Sequence, residues 1–143
     1  MEDLKKRILG IDLGEKRVGL ALSDELLITS SPLKPILNSD KLIIIEHIKE
    51  IIESSNVAKI IVGYPVLLSG IAGSEAKNVE NFVVSLKKEL PDIEIILQDE
   101  RFSSFSAKRM LKDTNRNKKS NRKEGIVDSI SACIILDTYL RSI

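Results

Sequence analysis

The stretch Ile8-Leu9-Gly10-Ile11-Asp12-Leu13-Gly14 places one acidic residue inside an apolar run and decides the class of fold. We predict a strand from Arg7 to Leu13 and a second strand from Val18 to Leu22, because both are short apolar runs. Residues 14–17 supply the turn of a hairpin between them. An acid in a central strand is costly unless it is paired, exposed or bound to a metal. Asp12 is therefore a candidate functional residue, and the alternative is a strand-end Asp that accepts hydrogen bonds from the turn.

The rest of the chain predicts one more meandering strand and then strands that alternate with helices. Pro32 and Pro35 favour a sheet edge for the third strand, Ile28 to Ile36. The other predicted elements are a helix from about Asp40 to Ser55, a strand Lys59 to Gly63, a helix that ends at Pro91, a strand Ile93 to Leu97, a helix capped by Ser103 or Ser104, and a helix from about Lys123 to Arg141. This order predicts an α/β protein with a mixed five-stranded sheet and helices on both faces. It matches the ribonuclease H-like arrangement, and the pattern alone leaves a flavodoxin-like sheet open.

Composition limits the kinds of chemistry that the chain can perform. Its 143 residues predict a single domain, 1–143, and 43% hydrophobic with 30% charged residues is globular composition. There is neither an apolar run long enough for a membrane span nor a signal peptide, so a cytoplasmic protein is expected. One cysteine, Cys133, and one histidine, His47, exclude an internal disulfide and a multi-cysteine zinc site, and they argue against a histidine-based triad. Any metal chemistry must therefore use carboxylates.

Three acidic positions could form such a carboxylate site. Asp12 lies on the first strand, Asp99-Glu100-Arg101 follows the last strand, and Asp128 lies in an apolar helix. The alternatives are an ordinary surface turn at residues 99–101 and an Asp128 stabilised by the helix dipole. If the three positions converge, they form an oxygen-only site suited to Mg²⁺ or Mn²⁺. Two such ions could activate a water and stabilise the leaving oxygen of a phosphodiester.

Basic residues are concentrated in one part of the chain. Residues 108–123 carry a net charge of +7, which leaves −6 for the rest of a chain whose net charge is +1. A nucleic-acid backbone is the expected partner of such a segment, since it lacks aromatic residues that could stack on bases. The alternative is a solvated loop. The predicted nucleic-acid-binding residues are Lys16, Arg17, Arg101, Arg116, Lys118, Lys119, Arg122 and Lys123.

The loop between residues 63 and 74 ends at a predicted helix N-terminus. Backbone amides there, with Gly70, Gly73 and a capping Ser74, could hold a phosphate group. The alternative is a flexible surface loop.

Four blocks of sequence resemble the YqgF (RuvX-like) family of Holliday-junction-resolvase-like proteins, also described as pre-16S rRNA nucleases. The blocks are residues 10–14 with 16–21 and 23–24, Val62-Gly63-Tyr64-Pro65 with Gly70 and Gly73, residues 99–104, and residues 127–132. Two small departures occur, since Tyr64 stands where Leu is usual and Ser103-Ser104 where Thr-Thr is common. The resemblance covers nearly the whole chain, from Ile8 to Leu140.

The resemblance implies a ribonuclease H-like fold and a divalent-metal site for two Mg²⁺ or Mn²⁺ ions, formed by Asp12, Glu100 and Asp128 as catalytic residues. It implies trimming of the 5′ end of precursor 16S ribosomal RNA, with resolution of DNA junctions as the older proposal. The expected partner is nucleic acid rather than a membrane, and the protein is a monomer or a homodimer, the dimer being needed for symmetric junction cleavage. Whether Asp99 assists the site stays open. An actin-like or sugar-kinase ATPase is disfavoured by length, and a non-catalytic RNA-binding assembly factor is the other alternative.

Overall fold

The computed structural model describes residues 6–65, 73–99 and 120–143, with side chains from residue 129 onward in the last range. Its elements are β1 (Arg7–Leu13), β2 (Arg17–Ser23), β3 (Ser30–Leu37), α1 (Lys41–Ser55), β4 (Val57–Tyr64), α2 (Ser74–Glu89), β5 (Glu94–Asp99) and α3 (Ser120–Ser142). The predicted helix after Ser103 or Ser104 lies outside the described residues. In the part of the chain described, no helix is long and apolar enough to cross a membrane.

The five strands form one mixed sheet in the order β3-β2-β1-β4-β5. Strands β1, β2 and β3 pair antiparallel, whereas β1, β4 and β5 pair parallel. The mixed sheet is confirmed, and it differs from a flavodoxin-like sheet, which is parallel in the order 2-1-3-4-5. Strand β3 is the edge strand that Pro32 and Pro35 predicted.

Alternate residues of β1 pack into two cores on opposite faces of the sheet. Leu9 and Ile11 belong to the core beneath α1 and α2, whereas Ile8 belongs to the core beneath α3. Helices therefore cover both faces, as predicted. The face beneath α3 also carries Gly10 and Asp12, because side chains alternate along a strand.

The third strand begins at Ser30 rather than at Ile28, so that predicted boundary was wrong. The carboxylate of Asp24 accepts hydrogen bonds from the amides of Ile28 and Thr29, at 2.7 and 2.9 Å. These bonds keep residues 24–29 in a turn and lower the pKa of Asp24. Ile28 is consequently exposed in the turn instead of packed in the sheet.

Gly10 is a point of close packing between α3 and the sheet. A Cβ atom at this position would lie 2.9 Å from Leu136 Cβ and 3.1 Å from the carbonyl oxygen of Ala132. A side chain here would therefore push α3 away from β1.

We expect Gly10→Ala to destabilise the protein by about 1–3 kcal/mol, the usual cost of overpacking a core. Because α3 is a single helix, its displacement should also weaken any site that α3 shares with β1. Thermal unfolding measures the loss of stability, because the unfolding midpoint of a chain of this size falls by roughly 3 °C for each kcal/mol. An unchanged unfolding midpoint would contradict the tight contact between α3 and β1.

Candidate active site

Asp12 lies near the carboxyl end of the central strand β1, partly buried, on the face covered by α3. Its partner across the hairpin is Gly19 of β2. On the other side, Val62 of β4 pairs with Ile11, and the next residue along β4 is Gly63. Gly19 and Gly63 thus flank Asp12 and carry no side chain. This glycine floor, defined as Gly10, Gly19 and Gly63, leaves room beside the carboxylate for a ligand to approach the backbone.

Helix α3 runs antiparallel to β1, as contacts at three heights on the sheet show. At the start of β1, Lys59 Nζ donates a 2.9 Å hydrogen bond to the hydroxyl of Tyr139, and Lys59 pairs with Ile8. This bond raises the pKa of Lys59. In the middle of β1, Ala132 and Leu136 lie against Gly10.

The third contact fixes the beginning of the helix near the end of β1. Ser129 Oγ donates a 2.7 Å hydrogen bond to the carbonyl oxygen of Leu33. Leu33 pairs with Leu20, and Leu20 pairs with Ile11, so Ser129 lies at the height of Ile11.

The register of α3 bears on the predicted position of Asp128. Residues four apart lie on the same side of a helix, and residues 136 and 132 both lie against Gly10. The same row continues to residue 128, one turn closer to the end of β1 at which Asp12 lies. The backbone of residue 128 is helical, and its side chain lies outside the described side chains.

Asp99 lies at the same edge of the sheet as Asp12. Asp99 ends β5 and pairs with Tyr64, the last residue of β4. Ile96 packs into the core beneath α3 and Ile95 into the opposite core, so Asp99 lies on the face opposite to Asp12. Glu100 and Arg101 lie outside the described residues.

The predicted phosphate loop is described only at its end. Gly70 lies outside the described residues, while Gly73 is the N-cap of α2 and forms no side-chain capping bond. Ser74 is the first residue of the helix, so the prediction that Ser74 caps it was wrong. The extended backbone of Gly73 (φ −101°, ψ −164°) already takes the cap position, and its carbonyl accepts from Lys77 N at 3.2 Å.

Tyr64, the departure from the family pattern, acts on the side of the sheet away from Asp12. Its ring packs against the core beneath α1 and α2, and its hydroxyl donates a 2.5 Å hydrogen bond to Glu80 Oε2 of α2. This bond to the carboxylate raises the pKa of Tyr64. The pair ties the end of β4 to α2 without contributing a group to the face that carries Asp12.

Two of the predicted nucleic-acid-binding residues lie in the described hairpin next to Asp12. Lys16 is exposed in the β1–β2 turn, and Arg17 begins β2. Asn38 holds this turn, because its Nδ2 donates to the carbonyl oxygen of Gly14 at 2.7 Å and its backbone N–H donates to that of Lys16 at 2.8 Å. The turn is therefore fixed at the edge of the sheet where Asp12 lies.

Five of the other predicted basic residues belong to the segment 116–123, and the sixth, Arg101, follows β5 in the sequence. Helix α3 begins at Ser120 rather than at Lys123, so the backbone of Arg122 and Lys123 forms its first turn. Their side chains, and the whole of Arg101, Arg116, Lys118 and Lys119, lie outside what the structure describes.

The described side chains contain one of the three predicted metal ligands, Asp12. Among the residues described, no group of three histidine, cysteine, aspartate or glutamate side chains could hold a metal. The chemistry of the position still fits a hard cation, because Asp12 offers carboxylate oxygens above the glycine floor. Sequence reasoning named Gly19 and Gly63 within the blocks that carry the family resemblance but did not place them beside Asp12, although a glycine inside a strand is itself a signal of close backbone approach.

Comparisons with known proteins place the chain in a family of nucleases. A family model described as "RuvX: Holliday junction resolvase" matches residues 6–142. A protein of Sulfurihydrogenibium sp. is 47% identical over 135 residues, which cover 94% of this chain and 89% of the relative. One of Fusobacterium nucleatum is 38% identical over 94% of this chain and 96% of the relative. Both relatives carry the name "Putative pre-16S rRNA nuclease".

Solved structures with the same fold include Holliday junction resolvases. RuvC of T. thermophilus, in complex with a Holliday junction substrate, aligns with a TM-score of 0.59 over 96% of each chain at 13% identity. The fowlpox virus Holliday junction resolvase aligns with a TM-score of 0.55 over 95% of this chain and 98% of the viral one, at 12% identity. At such identities the likeness concerns the fold, which is ribonuclease H-like as predicted.

Proposed function

The chain belongs to the RuvX family of nucleases, and on that premise we propose that it is a divalent-metal-dependent nuclease that processes the 5′ end of precursor 16S ribosomal RNA. The names of relatives up to 47% identical over most of the chain support the choice of RNA. The proposed catalytic residues are Asp12, Glu100 and Asp128, which would hold Mg²⁺ or Mn²⁺.

The placement of Asp12 is the observation that carries the proposal. Asp12 lies on the face of β1 beneath α3, and the register of α3 continues towards residue 128 at that height. Ile96 of β5 packs into the core beneath α3, and Glu100 is the residue that follows β5 in the sequence. The three acids would then share one face at one edge of the sheet. Metal ions bound there would supply activation of water and stabilisation of the leaving oxygen.

Basic side chains of the chain itself would hold the substrate backbone at this edge. Lys16 and Arg17 lie in the turn that Asn38 fixes beside Asp12. Arg122 and Lys123 lie in the first turn of α3, where the helix dipole disfavours positive charge by about 0.3–1 kcal/mol each. Helix stability therefore does not explain these two residues, whereas contact with phosphates does.

Replacing Lys118, Lys119 and Arg122 together with Ala should weaken RNA binding regardless of sequence. Each lost phosphate contact lowers the slope of log K against log [salt] by about 0.7 for single strands and about 0.9 for duplex DNA. Three lost contacts should therefore reduce the slope by about 2–3. Binding measured by fluorescence anisotropy across a salt series gives this slope directly.

The matched control replaces three exposed lysines of α2, Lys77, Lys87 and Lys88, with Ala. It removes the same charge from the helix that covers the opposite face of the sheet. The control should leave the slope unchanged. Equal slopes for the two triple variants would mean that the basic stretch is a solvated loop that does not contact phosphates.

The substrate is tested by incubating the full chain with Mn²⁺ and three matched substrates. These are a precursor 16S RNA 5′ segment, a DNA duplex and a DNA four-way junction. Metal-dependent cleavage of the RNA supports the proposal, with cuts mapped at the 5′ side of the mature sequence. Symmetric cleavage of the junction alone would support the second candidate, a resolvase, which the description of the family favours. RNA binding without cleavage of any substrate would identify a non-catalytic assembly factor.

A further inference from the structure

The edge strand β3 carries a bulge directly opposite the glycine beside Asp12. Leu20 of β2 pairs with Leu33, whereas Val18 pairs with Ile36, so the register shifts between them. Residues 34 and 35 of β3 therefore lie opposite the single residue Gly19. Bulges of this kind occur at sheet edges and next to active sites, where they redirect a side chain.

Both residues of the bulge lie on the face of the sheet that carries Asp12. Pro32 pairs with Ala21, which belongs to the core beneath α3. Leu33 and Ile36 pack into the opposite core, and Lys34 and Pro35 lie between them. The alternation of the strand thus places Lys34 on the α3 face.

Lys34 lies at the height of Asp12, with only Gly19 between them. Gly19 pairs with Asp12 on one side and faces the bulge on the other. Two strand spacings of about 4.8 Å put the backbone of Lys34 about 10 Å from that of Asp12. Since Gly19 has no side chain, nothing from β2 stands between the lysine and the aspartate on this face.

The position of Lys34 is fixed, and its charge is available. Ser129 of α3 binds the carbonyl oxygen of Leu33, and the rings of Pro32 and Pro35 restrict the backbone on either side. Lys34 is exposed. Within residues 6–65, 73–99 and 129–143, no carboxylate forms a salt bridge with its ammonium group.

We propose that Lys34 binds a backbone phosphate of the nucleic-acid substrate, two or three nucleotides from the phosphate that is cleaved at Asp12. The axial rise of about 3.4 Å per nucleotide is a lower limit for the spacing of phosphates along one strand, so a distance of about 10 Å spans three nucleotides at most. The contact is to phosphate, so it recognises the backbone and not the base sequence. The inference rests on the proposed function, because it takes Asp12 as the place of cleavage.

The first test measures binding of single-stranded RNA in EDTA, where metal-dependent cleavage cannot occur. Lys34→Ala should lower the salt slope by about 0.7 and weaken binding about fivefold at 0.1 M salt, the effect of one phosphate contact. Lys34→Arg should retain the slope of the unmodified protein. The control, Lys87→Ala on α2, should change neither value.

The second test locates the contact with RNA in which one phosphate at a time is a neutral methylphosphonate. Neutralising the phosphate two or three nucleotides from the cleavage site should weaken binding to the unmodified protein about as much as Lys34→Ala does. Lys34→Ala should bind this modified RNA as tightly as it binds the unmodified RNA. If Lys34→Ala behaves like Lys87→Ala in both tests while the unmodified protein binds and cleaves RNA, the inference about Lys34 is wrong and the proposed function is unaffected. Absence of RNA and DNA binding by the unmodified protein overturns the proposed function as well.

Discussion

Asp12→Asn is expected to abolish metal-dependent cleavage and to leave the protein folded. The substitution keeps the volume of a partly buried side chain on the central strand, so the packing of β1 should persist. It removes the negative charge that a divalent cation needs at this position. Metal assistance contributes several kcal/mol to such reactions, and each 1.36 kcal/mol is a factor of ten, so the rate should fall by at least ~10³.

The measurement is single-turnover cleavage of the RNA substrate in Mn²⁺, with thermal unfolding and RNA binding as evidence of an intact fold. Asp24→Asn is the matched control, because Asp24 follows β2 at the opposite end of the sheet and its carboxylate accepts hydrogen bonds from the turn at Ile28 and Thr29. An amide oxygen can still accept those hydrogen bonds, so cleavage should be unchanged. Cleavage at the original rate by folded Asp12→Asn would remove Asp12 from the mechanism.

The sheet could be predicted from the sequence because its strands carry strong apolar patterns. Each strand of the parallel half is a short apolar run, and the prolines of β3 pointed to the edge. The start of β3 was missed because the side chain of Asp24 holds Ile28 in a turn. This bond depends on a carboxylate four residues away, so the strand propensity of Ile28 cannot predict it.

The two helix starts were misplaced for a related reason. Several residues near the beginning of a helix can serve as its cap, and the backbone angles decide among them. At α2, the extended backbone of Gly73 takes the place predicted for Ser74. At α3, the helix extends back to Ser120 through polar residues that show no apolar periodicity.

The site was partly predictable, since an acid among apolar strand residues marks Asp12 without any knowledge of its neighbours. Lys34 was not, because its relation to Asp12 depends on two cross-strand registers and a bulge. Pairing across strands is set by tertiary contacts, and one residue of slip would move Lys34 to the other face.

Asp128→Asn should separate a catalytic carboxylate from a structural one. If Asp128 joins Asp12 and Glu100, the metal-free protein holds like charges together, and two charges 4 Å apart repel by about 1 kcal/mol even in water. Removing one charge should then raise the unfolding temperature in EDTA. Metal binds only the folded site, so it stabilises by an amount that grows with concentration, about 2.7 kcal/mol at a hundred times Kd. The variant should gain less than this from Mn²⁺, and it should not cleave RNA.

The comparison is thermal unfolding of both proteins in EDTA and in Mn²⁺ near pH 7, with Asp137→Asn as the control from the same helix. Asp137 accepts a 2.8 Å hydrogen bond from Ser30 Oγ, far along α3 from residue 128, so its replacement should not reduce stabilisation by Mn²⁺. A lower unfolding temperature of Asp128→Asn in EDTA would instead identify Asp128 as a structural acid near the beginning of α3. The carboxylate site would then lose the proposed ligand from α3, the helix whose row of residues 132 and 136 lies against Gly10 of β1.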